Sequence, residues 1–106
     1  RSYDAAVATL SQFLQLQPKN YIGLLDRAVA EIQIKQFQAA KVDFKALGDV
    51  LPEQYYLAEY GLADVASAEG DKSEEIKRLK RCIHSAPEES NEYRRATNRL
   101  EVLERH

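Results

Sequence analysis

The sequence predicts an all-α fold, an array of antiparallel helix pairs. Three observations carry that expectation. Apolar residues recur at helical spacing through almost all of the 106 residues. No alternating strand pattern, glycine-rich loop or low-complexity linker interrupts them. Prolines close successive segments at a near-constant interval: Pro18 and Pro52 are 34 residues apart and Pro87 follows 35 later, in LQLQPKN, LGDVLPEQ and CIHSAPEES. A period near 34 marks stacked helix–turn–helix units, and one such unit cannot bury its apolar face alone.

The first helix spans 3–16, with Ala6, Leu10, Phe13 and Leu14 on one face. Pro18 stops it, because the residue before a proline is pushed out of the α region. A second helix covers 21–34 with Leu25, Ala28, Val29 and Ile32 as its inner stripe, and a third covers 37–50 through Phe37, Ala40, Phe44 and Leu47. After Pro52, residues 53–69 form a fourth helix rich in Tyr and Ala, closed by Gly70, which is free to take positive φ. Asp71 with Glu74 three residues on reads as a capping box opening the fifth helix. Glu74 is also one turn from Arg78, the spacing of a helical ion pair. Beyond Pro87 a last helix runs over about 90–105, with Tyr93, Ala96, Leu100 and Leu103 inward. Short turns between helices make neighbours antiparallel.

These residues resemble the tetratricopeptide repeat family. The stretch 19–52 matches best: Leu24 stands at the bulky position, Ala28 at the small one, then Phe37, Ala40, Phe44 and Pro52. Residues 3–18 are similar to the second helix of a repeat alone, through Tyr3, Ala6, Leu10 and Pro18. Residues 53–87 form a further repeat through Leu62, Ala63, Gly70, Leu79, Cys82 and Pro87. In it Glu75 stands where the family has Ala and Lys72 where it has an aromatic. Residues 88–106 resemble a first helix of another repeat or a terminal capping helix. Arg27 and Glu31 replace the usual Leu and Tyr-like positions, and we read them as variation within a loose motif. The resemblance implies a single domain over 1–106 wound as a right-handed superhelix, with the first helix of each pair lining a concave face.

Family members bind peptides or protein segments on that face. Carried over by position, the partner-binding residues are Asp26, Val29 and Gln33, with Ile22 and Leu25, from one helix. Tyr60 and Asp64, with Leu57 and Gly61, come from the next, and Asn91, Arg94, Arg95 and Asn98 from the last. An apolar end, a tyrosine and a guanidinium pair suit an extended segment carrying an acidic group. Arg94 and Arg95 read equally well as solvated arginines beside Glu92, and Tyr60 as a packing residue with an exposed hydroxyl. Some members clamp a terminal carboxylate with Lys and Asn, but Leu25 and Val29 occupy those positions here and only Arg95 is basic at a matching one. The full clamp is therefore rejected.

Composition narrows the partner classes. Charged residues make up 30 % of the chain with a formal net charge of −2, which gives no general pull toward nucleic acid or anionic membrane. No apolar stretch approaches the roughly 20 residues of a membrane span. The basic run Lys77, Arg78, Lys80 and Arg81 reads as a solvated outer face, since a nucleic-acid surface wants interleaved aromatics. His84 and His106 are the only histidines, and neither has metal-ligand spacing or a nucleophile beside it. We therefore expect no enzyme, no metal and no cofactor. Cys82, the only cysteine, reads as a small buried helix residue. It fits the cytosol, while a periplasmic or secreted parent is equally allowed. The chain starts at Arg1 and lacks Met, so it reads as a piece of a longer protein. Without a preceding helix, Ala6, Leu10 and Phe13 would be partly uncovered, which predicts self-association through 3–14. A purely architectural segment of a longer solenoid is the alternative function.

Overall fold

The structure, a computed structural model, describes residues 2–105. It is all-helical: α1 (Tyr3–Leu16), α2 (Tyr21–Gln33), α3 (Phe37–Val50), α4 (Tyr55–Glu69), α5 (Lys72–Ser85) and α6 (Asn91–Glu104), with a 3₁₀ turn at Pro52–Gln54 leading into α4. No strand occurs among the described residues. The chain forms two compact units that divide between Pro52 and Glu53, where the 19–52 and 53–87 segments meet. Sequential helices pack as neighbours in each unit: α1 on α2 and α2 on α3 in the first, α4 on α5 and α5 on α6 in the second.

Local chemistry sets the helix ends. Ser2, Asn20, Asp71 and Ser90 are N-caps whose side-chain oxygens accept from the backbone N–H three residues on. The expected capping box at Asp71 is only half made. Asp71 Oδ1 accepts from the Glu74 N–H at 3.0 Å. The Asp71 N–H, however, goes to Ala66 O at 2.9 Å, and the Glu74 carboxylate turns to Arg78 Nε at 2.7 Å.

The α2–α3 and α4–α5 turns have the same construction. Gly70 takes φ 77° and donates to Ser67 O, while Asp71 donates to Ala66 O. Lys35 takes φ 63° and donates to Ile32 O, while Gln36 donates to Glu31 O. Both are Schellman ends that satisfy the last carbonyls of a helix, and they stand 35 residues apart. The same offset relates buried Ala28 to Ala63, Phe44 to Leu79, and Leu47 to Cys82. The helix–turn–helix hairpin is thus repeated in backbone and in core.

The first unit buries Leu14, Leu24, Ala28, Ala40, Phe44 and Leu47. Gly23 lets α1 approach α2, because a Cβ there would stand 3.1 Å from both Phe13 and Leu14. The inner stripe expected on α2 is corrected in part: Ala28 is buried and Ile32 partly buried as expected, but Leu25 and Val29 are exposed, and Leu24 and Glu31 point inward in their place. Helical periodicity is satisfied by either set of residues, so it does not choose between them. In the second unit Ala63, Leu79, Cys82, Ala86 and Ala96 form the core, ringed by Tyr56, Tyr60, Ile83, Tyr93, Leu100 and Leu103. The inward residues expected on α6 all belong to this cluster.

Candidate functional site: an apolar helix face and two arginine-centred clusters

On α2, Ile22 (54 % exposed), Leu25 (37 %) and Val29 (45 %) recur at i, i+3 and i+7, which puts them on one face. Tyr21 is exposed beside them. Asp26 and Gln33, the polar candidates on this helix, are exposed as well. Three branched aliphatic side chains in a row on a solvent-facing helix are the feature of the first unit most suited to contact with another apolar surface.

The opposite face of α2 carries charge inward. Arg27 grips Asp43 of α3 with two parallel bonds, Nε to Oδ2 at 2.8 Å and Nη2 to Oδ1 at 2.7 Å, and donates from Nη1 to Ser11 Oγ of α1 at 3.1 Å. Bidentate geometry of this kind makes a strong charge-assisted pair. Glu31 lies 3.7 Å from Arg27 Nε and is 5 % exposed. Burial and the neighbouring Asp43 carboxyl push its pKa up to about 8, against the opposing pull of Arg27. Arg27 and Glu31 are therefore parts of a buried network that ties three helices together, where the sequence alone suggested loose variation.

In the second unit Arg99 of α6 plays the corresponding part. Its Nη1 donates to Asp64 Oδ1 of α4 at 2.6 Å, its Nη2 donates to Glu75 Oε2 of α5 at 2.8 Å, and its guanidinium lies 5.1 Å from the centre of the Tyr60 ring. That separation is a cation–π contact. Glu75 is 8 % exposed and is paired by this arginine. Tyr60 and Asp64 are thus brought together, but as supports for Arg99. Burial raises the Asp64 pKa while Arg99, and more weakly Arg95, lower it.

The remaining candidates lie on α6. Arg95 is exposed and acts on Asp64, whereas Arg94 donates to Asn91 Oδ1 of its own helix at 3.0 Å. Asn98 is exposed and lines a groove of about 360 Å³ with Glu75, Arg99, Val102 and Leu103. Sequence reading missed Arg99; its only signal was a cation four residues from Arg95, on the helix following an unexplained Glu75.

The basic run on α5 is also corrected. Lys77, Lys80 and Arg81 are exposed, but Arg78 is half-buried and bonds Glu59 of α4 at 3.1 Å as well as Glu74. A cleft of about 430 Å³ between α4 and α5 is lined by Tyr55, Glu59, Lys80, Arg81, His84 and Ser85. Cys82 is buried and its thiol is pushed up to about 11, chiefly by burial. Such a thiol is a packing group, because the nucleophile is the thiolate.

Among the described residues no group of three or more His, Cys, Asp or Glu side chains is placed to hold a metal ion. No helix among them is long and apolar enough to cross a membrane. His106 lies outside the described residues. No protein-family model matches the chain, and no curated protein matches it by sequence.

Proposed function

We propose that this chain is a tetratricopeptide-like module that binds a peptide or protein segment and performs no chemistry of its own. The repeat reading is supported by the 35-residue offset shared by the Schellman turns at Lys35 and Gly70 and by the buried pairs Ala28/Ala63, Phe44/Leu79 and Leu47/Cys82. On that reading the helix pairs wind into a right-handed superhelix and the exposed side of α2 belongs to its concave face. The observation that carries binding is the solvent-facing stripe Ile22, Leu25 and Val29.

The ligand that suits α2 is an extended or helical segment with aliphatic anchors, held beside the polar Asp26 and Gln33. Arg95, exposed and only partly engaged by Asp64, is the group on α6 suited to an acidic side chain. Nucleic acid and membrane are not expected partners, given the mixed charge of the chain.

Selection from a displayed peptide library tests this. Enriched peptides should shift the amide resonances of α2 and lose about ten- to a hundredfold in affinity for a Leu25→Asp, Val29→Asp variant of unchanged helicity. Equal binding by that variant, or shifts confined to other helices, overturns the reading.

One observation favours a second role, self-association. Tyr3 and Phe13 of α1 are exposed apolar side chains within the 3–14 segment, and Leu16 is exposed just beyond it. Light scattering at high concentration should then show a species larger than a monomer, reduced by Tyr3→Asp. A strict monomer removes that role.

A further inference from the structure

Among the described residues, Glu31 carries the one buried side-chain oxygen or nitrogen that no hydrogen-bond partner meets. It is 5 % exposed, and its Oε1 is buried with no hydrogen-bond donor facing it. Each element around it contributes a group: Arg27 from α2 itself, Asp43 from α3, and from α1 the uncharged Ser11 hydroxyl, which reaches the cluster through Arg27. Arg27 directs Nε and Nη2 at Asp43 and Nη1 at Ser11, which leaves Glu31 only the longer 3.7 Å approach. One guanidinium therefore stands against two carboxyls.

With both acids ionised the cluster would bury a net negative charge and an undonated oxygen, each of which is costly. The neighbouring Asp43 carboxyl adds to burial in disfavouring the charged form of Glu31. A proton on Glu31 removes one of the two negative charges from this buried cluster. We infer that Glu31 holds a proton in the folded chain at neutral pH, so that the α2–α3 hairpin is a pH-responsive element that loosens when the proton leaves.

The direction follows from linkage. An unfolded Glu titrates near 4.5, whereas Glu31 in the fold titrates near 8, raised first by burial and then by Asp43. Between those values the folded chain binds the extra proton, so stability is full below the lower value and is lost as pH rises through the upper one. Over that window the unfolding equilibrium constant gains up to about tenfold per pH unit, and above it the curve levels.

A carbon-detected NMR titration of the side-chain carboxyls of the intact chain reads Glu31 directly. The midpoint should fall near 8; a midpoint in the ordinary range of about 4–5 overturns the inference. Urea unfolding between pH 6 and 8 supplies the second readout. The wild type should lose stability by about tenfold or more in its unfolding constant relative to Glu31→Gln, whose amide is neutral and cannot titrate. The same pH slope in both proteins overturns the inference. Asp43→Asn removes the second carboxyl and frees Arg27 for Glu31, so the Glu31 midpoint should come down; an unchanged midpoint overturns the account of one guanidinium against two carboxyls. Should a variant fail to fold, the wild-type titration decides alone.

Discussion

Replacing Arg99 with methionine keeps the length of the side chain over Tyr60 but removes the charge that Asp64 and Glu75 share. The two carboxylates respond differently. The Asp64 side chain is 44 % exposed and can be rehydrated in place, while that of Glu75 is 11 % exposed and is left as a buried anion. Breaking a fully buried ion pair costs about 3–5 kcal/mol. Arg99 itself is 27 % exposed, so solvent already screens part of the interaction, and we expect about 2–3 kcal/mol. Glu75→Ala should cost under about 1 kcal/mol, because Arg99 retains Asp64 and Tyr60 and alanine is the best helix former. The double variant should recover most of the Arg99→Met loss, a coupling of about 2 kcal/mol. Amide hydrogen exchange of α6 and α5 under native conditions measures each value within this unit, without assuming that the whole chain unfolds in one step. A coupling below about 0.5 kcal/mol would refute the claim that Arg99 compensates for the glutamate buried at position 75.

Three further outcomes are expected. Lys35→Gly should stabilise the first unit by about 1 kcal/mol, since a non-glycine residue at positive φ carries that order of strain; Gly70→Ala should destabilise the second by a similar amount, and urea melts read both. Alkylation of Cys82 by iodoacetamide at pH 8 should run on the order of a hundredfold slower than for a free thiol, and become fast in denaturant. Leu25→Asp with Val29→Asp should leave thermal stability within about 0.5 kcal/mol of wild type, as expected for solvent-facing positions; a large loss would mean that these residues are core.

Much of the fold was legible in the residues. Prolines 18, 52 and 87, the cap residue Asp71, and Gly70 bound the helices to within about two residues, because these signals act locally. The core positions Ala40, Phe44, Leu47, Leu79, Cys82 and Ala96 followed from 3.6-residue periodicity. The face of α2 was harder. Two apolar stripes, Leu24/Ala28 and Leu25/Val29, lie side by side on that helix, and only its contacts with α1 and α3 choose between them.

What the sequence determined by itself is the order, length and ends of six helices and the repeat of about 35 residues, since each depends on neighbours a few residues away or on a period along the chain. What only the tertiary structure decided is the fate of the charges. Arg27 meets Asp43 across 16 positions, Arg78 meets Glu59 across 19, and Arg99 meets Asp64 across 35. No local rule distinguishes these arginines from Arg94 or Lys77, because the difference is made by a carboxylate on another helix. Burial makes that pairing consequential, turning ordinary surface-type residues into the groups that tie three helices together in each unit.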